Sequence, residues 1–135
     1  MLDIASLKDL LAQPKQIVIT THHRPDGDAM GSSLGLYNYL IQKGHHVKVI
    51  TPSDYPMFLH WLPNNLEVIV YPDKVEESRQ LIANADFIFC LDFNALSRIN
   101  EMGDLVREAK GKKILIDHHL EPEDFDVFRH WSINA

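Results

Sequence analysis

Five short apolar runs alternate with longer stretches of helical spacing, and this alternation restricts the fold more than any other feature. The runs are Ile17–Thr20, Val47–Thr51, Glu67–Val70, Asp86–Asp92 and Lys113–Asp117, with a weaker sixth at Asp126–Trp131. Apolar runs bounded by turn residues suit strands buried on both faces, as a parallel sheet requires. Helical segments fall between them. Leu7, Leu10 and Leu11 share a helix face, and Pro14 is a stop signal. Ala29–Lys43 reads as a helix ending at Gly44, with Leu34, Leu36, Tyr37, Leu40 and Ile41 as its apolar positions. Asp73 and Glu76 have capping-box spacing and predict a helix running through Ala85. Ser97–Lys110 predicts another, ending at Gly111. The stretch from Pro52 to Pro63 reads as a loop or a broken helical turn. The pattern predicts one α/β domain: a mainly parallel five- or six-stranded sheet with helices on both faces.

Composition sets limits on function. With 45% apolar residues in 135, one domain can bury a real core. Thirteen basic against nineteen acidic residues give a net charge of −6, which disfavours nucleic-acid binding through a bulk basic surface. It leaves room for a local phosphate site or one balanced by metal ions. A single cysteine excludes an intrachain disulfide framework and a Cys-rich zinc module. The first fifteen residues contain acids and lack the basic start and apolar core of a signal peptide, so a cytoplasmic protein with no membrane partner is expected.

In parallel α/β sheets ligands bind beyond the carboxyl ends of the strands. After the first strand stands His22-His23-Arg24-Pro25-Asp26-Gly27-Asp28; the fourth ends at Asp92; the fifth runs into Asp117-His118-His119. Carboxylates gathered in one crevice cannot all stay ionised without a compensating cation. Mixed imidazole and carboxylate ligation suits Mn, Zn or Fe, and two ions sharing a carboxylate form a clamp for phosphate-ester hydrolysis. Gly27 would let the chain turn tightly between two acids, and Gly31 and Gly35 would allow a helix to approach the sheet closely. Ser32 and Ser33, in the first turns of that helix, could hold a phosphate oxygen.

Individually these residues have plainer readings. Asp26 or Asp28 could be a turn former or helix cap, and Asp92 a cap. His45-His46 reads as surface and Cys90 as a small buried residue. Trp61, Trp131 and Phe58 read as core or edge packing, with base stacking as the functional alternative. The joint placement of Asp26, Asp28, Asp92 and Asp117-His118-His119 favours a site.

His22-x-x-Pro25-Asp26-Gly27-Asp28-x-x-Gly31-Ser32, Asp92 with Arg98, and Asp117-His118-His119 together resemble the motifs of the DHH phosphoesterases, over about Ile17 to His119. The form of the first two motifs is most similar to the nanoRNase-like branch, which acts on short oligoribonucleotides and adenosine 3′,5′-bisphosphate. The resemblance implies a Rossmann-like DHH domain and two Mn²⁺ ions, with Mg²⁺ or Co²⁺ as substitutes. His22 and Asp26 would hold one ion, Asp28 and His118 the other, with Asp92 bridging; His23 is the alternative to His22. His119, Arg98 and Ser32 would contact the substrate phosphate, and Asp117 would orient the neighbouring imidazole. The implied partners are short RNA or a nucleotide phosphate, and a homodimer is allowed.

The family's fourth motif and its C-terminal substrate-binding domain are not found in these residues. Asp124 and Asp126 stand too close to His119 to replace that motif. The domain is therefore expected to be incomplete at its C-terminus and weakly active by itself. Exopolyphosphatase-like and single-strand exonuclease branches, and a binding module without turnover, are the alternatives. A phospho-aspartate mechanism at Asp26-Gly27-Asp28 is disfavoured, because five residues separate it from the first strand. No G-x-G-x-x-G or P-loop is present.

Overall fold

The structure, a computed structural model, describes residues 3–93, 95–99, 101–117 and 128–131. Among these residues six parallel strands form one sheet: β1 (Gln16–Thr20), β2 (His46–Thr51), β3 (Ile69–Val70), β4 (Phe87–Leu91), β5 (Lys112–Asp117) and β6 (Phe128–Trp131). Their spatial order is β3-β2-β1-β4-β5-β6, and every neighbouring pair is parallel. The order reverses between β1 and β4, where a doubly wound sheet opens its ligand crevice.

Side-chain alternation divides the core into two layers. Ile17 and Ile19 of β1, with Phe87, Phe89 and Leu91 of β4, pack beneath α2 (Gly27–Gln42), which contributes Met30, Leu34 and Leu40. Leu7, Leu10 and Leu11, from α1 (Ile4–Leu10) and its C-cap, pack against the same layer. Val18, Ile88 and Cys90 point the other way. They meet Ile82 of α3 (Val75–Asn84) and Met102 and Val106 of α4 (Met102–Glu108). All five residues of β4 are buried, which accounts for the unbroken apolar run Phe87–Leu91.

Asp86 fixes the lower ends of three strands. Its carboxylate accepts from Gln16 N–H at 2.8 Å, its N–H donates to Gln16 O at 2.7 Å, and its carbonyl accepts from Lys112 N–H at 2.9 Å.

Several local expectations are corrected. The Asp73–Glu76 capping box does not form: Tyr71–Asp73 is a 3₁₀ turn, and Lys74 caps α3 without a side-chain bond. The segment from Ser97 is not one helix but a 3₁₀ turn, Leu96–Ile99, followed by α4. Pro52–Pro63, by contrast, is the expected loop, with a single 3₁₀ turn at Met57–Leu59. Gly31 and Gly35 face open space rather than the sheet, and Gly27 lies in the first turn of α2 with no positive φ. Close approach occurs instead at Gly103, beneath Leu96 O, and at Gly111, beneath Ala85 O. Phe58 and Trp61 are 70% and 76% exposed, not packed. His45 is buried, and its Nδ1 accepts from Lys15 N–H at 3.1 Å, joining the approach to β1 with that to β2.

Gly111 and His45 make this packing testable. A methyl group at position 111 would strike the Ala85 carbonyl, and no flexible side chain can move aside. Gly111→Ala should therefore lower unfolding stability by about 1–3 kcal/mol in urea titration; an unchanged midpoint would show that the strand start is looser than described. Burial holds the His45 imidazole below the ordinary histidine value, against the opposing pull of the Leu11 carbonyl. The unfolded chain then takes up this proton more readily than the folded one. Stability is full above the ordinary value and declines as pH falls through it. His45→Asn, which keeps an acceptor for Lys15 N–H, should make the acid-side decline in urea midpoint shallower; an equal slope would contradict the assignment.

Candidate metal centre

The loop after β1 leaves the sheet at Thr20 and is tied down at once. Thr21 Oγ1 donates to Leu91 O at 2.8 Å, joining the ends of β1 and β4. His23 N–H donates to Arg98 O at 2.9 Å, and Arg24 N–H donates to Ser53 Oγ at 2.7 Å. Arg24 takes a left-handed conformation, φ 54°, before Pro25 leads the chain into α2. The tight turn sought at Gly27 is made at Arg24.

Asp26 is the N-cap of α2, its Oδ1 accepting from Ala29 N–H at 3.0 Å. The plain reading of Asp26 as a cap is therefore correct, and the same oxygen stands 3.8 Å from His22 Nε2. Capping places a carboxylate at the positive end of a helix, where it is held without losing its outward face.

At the end of β4 the chain turns sharply. Asp92 has φ 63°, and its N–H donates to Ile116 O at 3.0 Å. A non-glycine residue in this region costs about 1–2 kcal/mol, less for Asp than for most. The turn brings Asp92 Oδ2 to 3.4 Å from His22 Nε2. His22 Nδ1 lies 2.9 Å from His23 O. A carbonyl can only accept, so Nδ1 carries a proton, and Nε2 is the ring nitrogen turned to the two carboxylates.

The ligand atoms of His22, Asp26 and Asp92 all lie within 4.8 Å of one another. Two carboxylates gathered around one imidazole concentrate negative charge here. A cation would balance that charge, and the N, O, O donor set suits a transition metal. Two ligands bonded at about 2.1 Å and 90–120° apart are separated by roughly 3.0–3.7 Å, close to the 3.4 and 3.8 Å from His22 Nε2 to the two carboxylates. The residues fit one ion.

The other sequence candidates are placed as follows. Asp28 is exposed in the first turn of α2 and stands outside this three-residue group. Ser32 Oγ donates to the helix's own carbonyls, Asp28 O at 2.7 Å and Ala29 O at 3.2 Å, so its hydroxyl proton is not directed at a phosphate. Ser33 is buried. Arg98 sits exposed on the 3₁₀ turn whose carbonyl receives His23 N–H. Asp117 is buried at the end of β5, the strand beside β4. His118, His119, Asp124 and Asp126 lie outside the described residues. The sequence reading missed Arg24 and Ser53, whose bond couples the loops after β1 and β2. The turn-forming run Pro52-Ser53-Asp54 was the only signal for it.

A parallel doubly wound sheet with an imidazole and two carboxylates at its switch point defines a class: an α/β domain with a candidate metal site beyond its strand ends. Comparison with known proteins narrows it. The family model for the DHH family, N-terminal domain, matches residues 16–134, and the chain belongs to that family. It is 38% identical over 103 residues to the bifunctional oligoribonuclease and PAP phosphatase NrnA of Thermus thermophilus, covering 76% of this chain and 28% of that protein. It is 30% identical over 125 residues to the protein of the same name from Mycoplasma pneumoniae, covering 92% of this chain and 36% of that one. The crystal structure of an exopolyphosphatase-related protein from Bacteroides fragilis superposes with a TM-score of 0.95 at 45% identity, covering 98% of this chain and 39% of that chain. The chain thus spans roughly a third of the length of these relatives. No helix among the described residues is long and apolar enough to cross a membrane.

The left-handed turn at Asp92 gives a prediction that separates strain from ligation. Asp92→Gly relieves the backbone and removes one acidic charge from the cluster. The metal-free protein should gain about 1 kcal/mol in urea unfolding while losing metal affinity. A variant less stable than the parent would mean that the Asp92 side chain holds the fold together and not only the site.

Proposed function

We propose that this domain forms the metal-binding half of a phosphoesterase active site that hydrolyses phosphate esters of short oligoribonucleotides or of a nucleoside 3′,5′-bisphosphate. The observation that carries the reading is the convergence of His22, Asp26 and Asp92 at the β1/β4 switch point, in a chain of the DHH family. The names of the Thermus and Mycoplasma relatives supply the substrate class.

Two Mn²⁺ ions, with Mg²⁺ or Co²⁺ as substitutes, would supply Lewis acidity, water activation and charge neutralisation for in-line displacement at phosphorus. His22 and Asp26 would hold one ion and Asp28 and His118 the second, with Asp92 a ligand common to both. The Nδ1–H···O=C bond to His23 keeps the His22 ring in the tautomer that ligation needs. Asp117 orients the adjoining imidazole. His119 and Arg98 contact the phosphate and offset the charge that builds on its oxygens. The acidic site repels a phosphate until cations are present, so binding of substrate follows binding of metal.

The name of the Bacteroides neighbour favours a second reading, inorganic polyphosphate as substrate. The two are separated by a panel of 5′-labelled di- to pentanucleotides, adenosine 3′,5′-bisphosphate and polyphosphate, assayed with Mn²⁺ and after chelation. Mn²⁺-dependent release from the nucleotides, at least tenfold above polyphosphate, is the expected result. Release that survives chelation would refute the metal mechanism.

The role assignment makes its own prediction. A shared carboxylate balances two cations, so Asp92→Asn should weaken Mn²⁺ binding at both sites by about tenfold or more. His119→Ala should lower turnover and leave metal affinity close to normal. Calorimetric titration of the two variants checks this, and equal affinities would contradict the assignment.

A further inference from the structure

Beside the metal cluster lies a second cleft that the phosphoesterase reading does not use. It is bounded by Arg24, Pro25 and Asp26 from the loop after β1, and by Asp54, Tyr55, Pro56 and Phe58 from the loop after β2. Its volume is about 360 Å³, within the range of small-molecule sites. Asp26 belongs both to this cleft and to the metal cluster, so the two are continuous.

The cleft is built rather than incidental. Arg24 N–H donates to Ser53 Oγ at 2.7 Å, fastening its two walls together. Tyr55 is buried, its N–H donates to Asp54 Oδ1 at 2.8 Å, and its hydroxyl bonds to the Asn65 side chain. Its ring stands 4.8 Å from that of His60. Against this fixed floor Phe58 is left 70% exposed. An exposed phenyl ring at the edge of a cleft with two proline rings offers flat apolar faces without hydrogen-bonding groups.

We propose that this cleft is a nucleobase subsite, and that Phe58 stacks on the base of the nucleotide whose phosphate reaches the metal centre. The proposal deepens the nucleotide-phosphoesterase reading and rests on it. Continuity through Asp26 puts the base within one nucleotide of the phosphate. The carboxylate of Asp54 makes the cleft unsuitable for a second phosphate, and leaves it suited to a neutral ring. Arg24, whose guanidinium makes no ion pair with the described residues, presents a planar cation that can stack on the base or meet the phosphate beside it. Stacking on an aromatic ring tolerates any base, so the subsite would select nucleotides over other phosphate esters without reading sequence.

The test uses the protein loaded with Mn²⁺ and measures binding by competition, with adenosine 5′-monophosphate and ribose 5-phosphate as probes. The parent should prefer the nucleotide. Phe58→Ala should weaken nucleotide binding about tenfold, the order of loss for removing one stacking partner, and leave ribose 5-phosphate unchanged. Phe58→Tyr should retain the preference. Trp61→Ala, which removes an equally exposed ring outside the cleft, should change neither affinity. No preference in the parent, or a preference that survives Phe58→Ala, overturns the subsite.

Dinucleotide hydrolysis measured in parallel separates the two claims. Hydrolysis with binding indifferent to Phe58 removes the subsite and leaves the proposed function. Phe58-dependent nucleotide binding without Mn²⁺-dependent hydrolysis keeps the subsite and removes the function. Failure of both removes both.

Discussion

Thr21 and Leu91 are seventy residues apart, yet the hydrogen bond from the threonine hydroxyl to the leucine carbonyl holds the ends of β1 and β4 side by side. The rest of the site depends on that adjacency. The chain leaves β1 toward α2 on one face of the sheet, and leaves β4 toward α4 on the other. Because the two strands diverge in this way, a crevice opens above them that no side chain of the core fills. The next residue along each strand is then a ligand type: His22 one past Thr21, Asp92 one past Leu91. A slip of one residue in the register between Ile17–Thr20 and Phe87–Cys90 would separate them.

What the crevice holds is an electrostatic problem with one economical solution. Two carboxylates and an imidazole nitrogen face one another, and Asp92 reaches its place through a backbone conformation that disfavours most side chains. A fold does not gather acceptors at the cost of backbone strain for packing reasons alone. Strain at a strand end points to a function that needs the side chain there. Asp26 shows a different economy: one oxygen caps α2 and also faces His22, so the helix that covers the sheet fixes the ligand.

The sheet was legible because its central strands β1 and β4 are buried on both faces, and that burial writes unbroken apolar runs into the chain. Boundaries were less legible where tertiary contacts, not local pattern, decide them. The run at Glu67–Val70 contributes only Ile69 and Val70, because Glu67 closes a 3₁₀ turn. The helix expected from Ser97 is interrupted because the chain doubles back until Gly103 lies under Leu96 O. Gly31 and Gly35 share a helix face, but Met30, Ser33, Leu34 and Leu40 define the buried side of α2. Nothing in the glycine spacing says which face meets the sheet. His45 looked like surface because its partner, Lys15 N–H, lies thirty residues away. The cleft with Phe58 was hidden for the same reason: its walls come from two loops joined through Arg24 and Ser53. Motif spacing, by contrast, does not depend on such contacts, and it selected His22, Asp26 and Asp92 directly.

The central claim is that these three residues hold a metal ion shared through Asp92. Crystals soaked in Mn²⁺ and measured at the manganese absorption edge would test it most directly. The account predicts an anomalous peak bonded to His22 Nε2, Asp26 and Asp92, with a second peak about 3.5–4 Å away on the far side of the Asp92 carboxylate. Manganese found only at positions that do not touch Asp92, or absent from the β1/β4 crevice at saturating concentration, would contradict it.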